Sequence, residues 1–551
     1  MSQESSAIVV DRAKSQWSDL WKKEDYWAIW IGFFILIVAS CLVFGGRQEL
    51  ESKYEQYAAV MKAESAKPFK TIEWYQASAA QKGLQGQNLA SVKLLINQLK
   101  TPARWQSNPL DALMMSQVQA DKANEAVMPK VDAAAALAQA KEAQAAAAAA
   151  TFGDATLNAA AEKSIGEWQA AKKATADISK KLVKPFNRIP TLIVLGLALA
   201  VLTSIGAKFM GFNVGKFFVA FLGVYLLCVL ANILGNQKTM RLYGINAEIW
   251  SIAIGMIIAN TFGTPKWLKE GAQVEYFIKA GLVLLGAEVL FHKIMAIGIP
   301  GIFVAWVVTP IVLVSTYIFG QKVLKMPSQT LNIVISADMS VCGTSAAIAT
   351  AAAARAKKEE LTLSIGLSLT FTAIMMVVMP AFIKWVGMPE VLGGAWIGGT
   401  VDATVKMIQN VLIGVTAFCV ALYWCTKVDA QACGQRVGAI EIWHRFPKFV
   451  IGFLAVSIIF SLISSGLGAD FGKMLVDNGT NKVSVPLRGW FFGLAFVAIG
   501  LTTNFRELGK YFKGGKPIIL YVCGQSLNLC LTLLMAWIMF YKVFPEITAK
   551  I

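Results

Sequence analysis

The chain has 551 residues, 56% of them hydrophobic and 15% charged, with a mean hydropathy of +0.55, which excludes an ordinary soluble protein of this size and points to a polytopic membrane protein. The formal net charge of +17 does not indicate a nucleic-acid partner, because the Lys and Arg residues are spread through short loops between apolar runs, the distribution that orients membrane helices. Eight cysteines with no CxxC pair, and two histidines in all, offer no pattern for a disulfide framework, a metal site or a cofactor.

Residues 1–26 are polar, with Trp17, Leu20, Trp21 and Tyr26 interleaved among charges; this suits a helix lying on the membrane surface, with a disordered tail as the alternative. The first apolar run, 27–44, follows a polar stretch and carries no cleavage signature, so 27–46 reads as a retained anchor. From 47 to 185 the composition changes to Ala, Lys, Glu and Gln, with an alanine tract near 132–150 and a break at Thr151-Phe152-Gly153-Asp154. Alanine and long straight side chains favour helix while burying little per residue. The spacing therefore predicts a soluble helical hairpin whose arm over 111–150 reaches about 60 Å at 1.5 Å per residue.

Beyond Pro190 apolar runs follow one another to the end: 191–209, 214–234, 249–262, 276–291, 302–319, 361–382, 397–425, 449–462, 490–501 with flanks, and 518–540. Residues 186–551 thus form one membrane bundle. The short run 249–262, with Gly255 and Asn260 inside it and Gly263 and Pro265 after it, reads as a half-helix. A repeat is visible as well: Gly281, Gly286 and Phe291 match Leu494, Gly500 and Phe505 in their Gly and Phe spacing, and each set is followed by a proline, Pro300 or Pro517. Transporters are commonly built from such repeats. The expected fold is an all-α polytopic membrane helix bundle with inverted repeats and broken helices, plus the soluble hairpin.

The stretch 331–356, LNIVISADMSVCGTSAAIATAAAARA, is apolar enough for a bilayer yet has a polar, flexible centre. Asp338, Ser340, Cys342, Gly343, Thr344 and Ser345 fall together there. An acid and small hydroxyl residues around a glycine are how a membrane helix is broken to expose backbone groups to a solute; close helix packing explains the small residues but not the carboxylate. If 331–356 enters and leaves on one side, the basic loops fall mostly on the cytoplasmic face, the alanine-rich hairpin lies outside, and the two Gly/Phe helices run in opposite directions; a full, broken span is the competing reading, with poorer charge agreement. Lys238, Arg241, Lys293, Lys384, Lys473, Lys482 and Arg488 remain as exceptions.

A second polar patch joins Gly398, Gly399 and Thr400 to Asp402 and, four residues on, Lys406. That spacing sets acid and base on one helix face, either as a structural ion pair or as a gating or proton-coupled pair. Glu288 lies inside the first repeat helix and is either functional or turned to water. Cys342 has no His or basic neighbour to activate it and reads as a packing residue, and Ser345 lacks a base, so no enzyme site is expected. Asn478-Gly-Thr480 is a glycosylation sequon only on a eukaryotic secretory route.

The run VCGTSAAIATAAAARA resembles the Ser-Ile-Cys-Gly-x-Ser-Ala-x-x-Ala signature of the bacterial sulfate exporter family of inner-membrane transporters. GGAWIGGTVDATVKMIQN at 393–410 is similar to that family's Gly-x-x-x-Gly helix, and the segment from Ala498 through Gly500 also fits. The resemblance extends over about 190–540 and implies a secondary transporter of the inner membrane, implying solute transport more firmly than sulfate itself. Three departures stand out: Asp338 where a small residue is expected, the reduced acidic part Val401-Asp402-Ala403-Thr404, and the added alanine-rich hairpin.

The leading expectation is therefore a secondary transporter of a small anion such as sulfate or a related sulfur oxyanion. Ser340, Cys342, Gly343, Thr344, Ser345, Gly398, Gly399 and Thr400 would receive the solute on broken-helix ends. Asp338, Asp402, Lys406 and Glu288 would couple to H+ or Na+. The alternative is a membrane receptor or scaffold whose outer hairpin is the working part. The bilayer is the constant partner; a protein bound by the hairpin and a homo-oligomer are both left open.

Overall fold

In the computed structural model, residues 17–125, 133–180, 182–242, 245–288, 291–341, 343–400, 412–424, 428, 448–504 and 515–548 are described. The architecture is all-α. Among the described residues six helical runs are long and apolar enough to cross a membrane: Glu24–Gly45, Ile189–Phe209, Val214–Gly235, Ile302–Lys322, Lys448–Thr502 and Lys516–Val543. Their lengths meet the roughly 20 residues that a hydrocarbon core demands, and the chain is a polytopic membrane bundle.

Shorter elements lie between them. The expected half-helix at 249–262 is Ala247–Thr261, capped by Asn246, which accepts a hydrogen bond from Ile249 N. It ends before Gly263, whose φ is +77°. The first repeat helix is Val274–Leu285, shorter than its apolar run because the chain turns at Gly286. The run at 449–462 extends to Lys448–Gly472, bends at Gly468 with φ +77°, and passes through a π-helical stretch, Lys473–Thr480, into Asn481–Thr502.

The chain forms two compact units. The first comprises Met1–Ile35, Gly196–Leu462 and Leu487–Ile551. Its helices approach closely where glycine removes the side chain: a Cβ on Gly255 would lie 2.6 Å from the Val497 carbonyl oxygen, and one on Gly281 would lie 2.5 Å from the Phe492 ring. Gly281 faces Phe492 while Glu288 pairs with Arg488, so the numbering rises along one helix as it falls along the other. The two Gly/Phe helices run antiparallel, the arrangement that the loop charges give when 331–356 makes no net crossing.

The second unit comprises Leu36–Leu195 and Ile463–Pro486. Ala133–Ala149 packs along Ala155–Ser179. Thr151 and Phe152 turn the chain with φ of +51° and +59°, and Asp154 caps the second helix through Thr156 N and Leu157 N. Ala140, Ala147 and Ala161 are fully buried and let the arms close on each other, with Phe69, Ile72, Ile165 and Trp168 filling the remaining core. The predicted continuous arm over 111–150 is corrected here. The described part of the helix, Ala133–Ala149, has 17 residues, about 26 Å at 1.5 Å each, and residues 111–116 are not part of an α-helix. Local caps cut the chain before it: Asn108 accepts from Leu110 N, and Ser116 and Gln119 form a reciprocal capping box that starts a new helix, Gln117–Asn124. Between those caps Met114–Met115 pairs antiparallel with Phe186–Asn187, which ties the base of the lobe to the start of the span Ile189–Phe209. The insert also meets the later segment of its unit: a Cβ on Gly86 would lie 2.8 Å from Gly479 Cα, and the Tyr54 hydroxyl donates to Asp470 at 2.8 Å. That bond raises the Tyr54 pKa above its ordinary value.

Candidate functional site

The first unit contains a helix broken at its centre. A first half-helix, Gln329–Ser340, is buried from Leu331 through Ser340, and a second, Thr344–Ala353, follows. Ser328 opens the first by accepting from Leu331 N at 3.2 Å. The break lies at Gly343, which takes φ +81°, a left-handed conformation that glycine adopts without a Cβ penalty. Gly343 N donates to the Asp338 carbonyl at 2.8 Å, closing the first half-helix, and Ala347 N donates to the Gly343 carbonyl at 3.0 Å, opening the second. The second closes where Ala356 N reaches back to the Ala351 carbonyl at 2.8 Å over Arg355, at φ +54°.

Glu360 pins the outer ends of both half-helices together. It accepts from the hydroxyls of Ser328 and Thr330, the latter at 2.7 Å, and from the backbone of Lys357 at 3.0 Å. A chain whose departure and return are tied to one carboxylate is a hairpin, with the Gly343 turn at its far end. The alanine side of the second half-helix packs on Ile333 and Val334 of the first.

The turn is polar and enclosed. Asp338 is 1% exposed, and its Oδ2 accepts from Ser364 Oγ at 2.6 Å. A Cβ on Gly343 would lie 3.2 Å from Ser368 Oγ and 3.8 Å from Asp338 Oδ1, so the glycine opens onto the space between those groups. Ser368 shares a side-chain hydrogen bond with Tyr521, whose ring stacks on Phe371 at 4.7 Å. The last carbonyls of a helix have no partner within it, and here neighbouring helices supply donors: Asn528 Nδ2 to Met339 O at 3.3 Å, with Thr532 Oγ1 bonded to Asn528 Oδ1 at 3.2 Å, and Thr309 Oγ1 to Ser340 O at 3.3 Å.

Of the residues singled out from sequence, Asp338, Ser340 and Gly343 meet at this turn, and Thr344 and Ser345 begin the second half-helix, where backbone N–H groups lie free of intrahelical acceptors. The Ser340 hydroxyl turns back to its own helix, donating to Ser336 O at 2.6 Å. Gly398, Gly399 and Thr400 close the described part of helix Glu390–Thr400. Cys342, Asp402 and Lys406 lie outside the described residues. Glu288 belongs to a different set of contacts: Arg488 Nε stands 2.9 Å from its Oε1, with the Arg488 guanidinium 5.8 Å from the Phe492 ring centre. The pairing gives Arg488, an exception in the loop-charge count, a local neutralising partner.

Sequence reasoning missed Ser364, Ser368, Tyr521, Asn528 and Thr309, because small hydroxyls and amides scattered along spans carry no spacing signal. It also missed Lys279, which is buried within Val274–Leu285 and forms ion pairs with Glu24 at 2.6 Å, Asp25 at 2.8 Å and Glu275 at 3.0 Å. Its signal was the acid one helical turn earlier, Glu275. Asp25 also accepts from Lys448 N at 2.9 Å, so the start of the first span is held to two other helices of its unit. Among the described residues no group of three or more His, Cys, Asp or Glu side chains is placed to hold a metal ion.

The family model described as conserved hypothetical protein 698 matches residues 219–407 and 403–521, a stretch that includes the whole broken helix. Two UPF0324 membrane proteins of Nitratidesulfovibrio vulgaris are each 58% identical, over 100% of this chain and 100% of their own. A UPF0324 membrane protein of Rhodopirellula baltica is 50% identical over 64% of this chain and 68% of its own. One of Nitrosomonas europaea is 27% identical over 64% and 84%. No solved structure matches the chain. The chain, its whole length shared with close relatives and its broken helix inside the matched region, belongs to the family of conserved hypothetical protein 698, the UPF0324 membrane proteins, and is a multi-pass membrane protein.

Proposed function

We propose that the protein is a secondary transporter of a small anion in the cell inner membrane, taking its solute at the turn between the two half-helices. The observation that carries the reading is the hairpin broken at Gly343 (φ +81°) with Asp338, 1% exposed, beside the break. The N-terminal end of the second half-helix offers backbone N–H groups and the positive end of a helix dipole, which attract an anion without an arginine. Both outer ends meet at Glu360, so on this reading the hairpin enters the membrane and returns on one face, reaching about mid-bilayer with half-helices of 12 and 10 residues, about 18 Å and 15 Å long.

Asp338 supplies the coupling. An ionised carboxylate close to the turn repels an anion, whereas a protonated one, or one neutralised by Na+, admits it. Solute and coupling ion therefore each favour binding of the other, as linkage requires. Sulfate or a related sulfur oxyanion is the solute class that the sequence resemblance favours. Gradient-driven uptake into proteoliposomes, scanned over sulfate, sulfite, small organic sulfonates, other anions and neutral organic solutes, tests the reading. Accumulation of an anion that depends on a proton or sodium gradient supports it; uptake restricted to neutral solutes, or none at all, overturns it.

A further inference from the structure

The strand pair at the base of the lobe places a basic cluster at the head of a membrane span. Met114 lies opposite Asn187, and the next residue, Arg188, donates its backbone N–H to Leu113 O at 2.7 Å. The apolar span Ile189–Phe209 begins at once, with Asn187 Oδ1 accepting from Ile189 N at 3.0 Å. The loop carrying Lys100 returns to the same place, since Ala103 N donates to Ala112 O at 2.7 Å. Lys93 lies on the helix Ala90–Gln98 just before it.

Lys93 and Lys100 are exposed, and Arg188 is half-buried. Among the described residues the side chain of none of the three is paired with a carboxylate, and Arg188 Nε is buried without a hydrogen-bond acceptor. Burial, then Arg188 and Lys93, hold the Lys100 pKa below its ordinary value, the signature of cations gathered without counter-charge. Beside this cluster Leu110 is 62% exposed, Met114 48% and Ile189 40%. Cations with bare apolar neighbours at the height where a span starts match the border between headgroups and acyl chains.

We propose that Lys93, Lys100 and Arg188, with Leu110 and Met114 beside them, hold the phosphate group of an anionic phospholipid in the leaflet where the span Ile189–Phe209 begins. A free oxyanion would use the same cations but would leave the apolar side chains without a role. The lipid would seat the lobe on the membrane surface, independently of any transported solute.

Native mass spectrometry of the purified full-length protein, offered phosphatidylglycerol or phosphatidylcholine at equal amounts, tests this. Phosphatidylglycerol is expected to be retained preferentially. In the double variant Lys93→Gln/Lys100→Gln that retention is expected to fall by about thirtyfold, as loss of two surface cations predicts, and in Lys163→Gln/Lys173→Gln it is expected to stay as in the wild type. Both altered pairs are exposed, so folding is preserved. Equal retention of the two lipids overturns the proposal, as does undiminished phosphatidylglycerol retention in the double variant. Displacement of phosphatidylglycerol to the phosphatidylcholine level by millimolar inorganic phosphate also overturns it, assigning the cluster to a free oxyanion.

Discussion

The alanine-rich lobe and the broken-helix bundle differ in where their charged groups find partners. In the lobe the ion pairs and caps join neighbours in sequence: Arg47 with Glu51 at 2.6 Å, Lys67 with Glu64 at 2.7 Å, Ser116 with Gln119, and Asp154 with Thr156, while a few amides and Tyr54 reach further, Gln144 to Ile72 N and Glu73, Asn124 to Val183, and Tyr54 to Asp470. In the bundle the partners come from afar: Ser364 to Asp338, Asn528 to Met339, and Lys279 to Glu24. Water is present around the lobe and absent from the membrane core, so a polar group in the core must find a partner wherever the fold brings one. Local pairs hold one element in shape. Distant pairs hold elements to each other, and they are the costly ones to cut.

The largest contrast concerns charge. Lys279→Met leaves Glu24, Asp25 and Glu275 without their cation. It is expected to destabilise the protein by about 3 kcal/mol, the lower end for breaking a buried pair because the three acids keep some contact with water. Glu51→Gln in the lobe is expected to cost less than about 0.5 kcal/mol, as exposed i,i+4 pairs do. Thermal unfolding of the two variants in the same detergent measures both, and equal shifts would dissolve the comparison.

Two glycines sharpen it. Gly343→Ala places a Cβ at φ +81° and 3.2 Å from Ser368 Oγ. The left-handed conformation alone costs about 1–2 kcal/mol for a residue with a side chain, and solute uptake should be lost with it. Gly166→Ala in the lobe helix Ala155–Ser179 meets nothing within 4 Å and is expected to stabilise by about 0.5–1 kcal/mol through helix propensity. Opposite signs are expected in paired melting curves, together with loss of uptake for Gly343→Ala alone.

How much of this was legible in the sequence follows the same division. The break at Gly343 and the acid beside it could be read, because polar and flexible residues are conspicuous inside an apolar run. Their partners could not be: Ser364 and Tyr521 are ordinary residues until the fold brings them to Asp338. Lys279 was hidden by the apolar residues flanking it, although Glu275 one turn away was a readable sign. In the lobe the helical composition is plain, and the Ser116–Gln119 capping box, visible as Ser-x-x-Gln, starts a helix at Gln117 inside the stretch that composition alone reads as one arm.

The smallest expected effect lies in the lobe. Burial pushes the Glu64 carboxyl up, but hydrogen bonds from Lys67 and Thr71 outweigh it and hold the pKa below its ordinary value. A depressed carboxylate contributes stability that is present above its unfolded value, about 4.3, and is lost as pH falls through the lower folded value. Glu64→Gln should remove that acid-limb dependence and change stability at neutral pH by less than about 0.5 kcal/mol. Melting temperature against pH for wild type and variant reads the difference.

The central claim is that the buried carboxylate beside the Gly343 break couples an ion to the movement of an anion. Asp338→Asn keeps an acceptor for Ser364 and removes the charge, so it isolates that role from packing. The decisive measurement is gradient-driven uptake, by wild type and Asp338→Asn in matched proteoliposomes, of the anion identified in the uptake scan, with insertion and melting temperature checked on the same samples. The account predicts that uptake falls by at least about tenfold, within the usual span of coupling free energies, and loses its dependence on the proton or sodium gradient while the protein stays folded. An unchanged rate with unchanged ion dependence would contradict it.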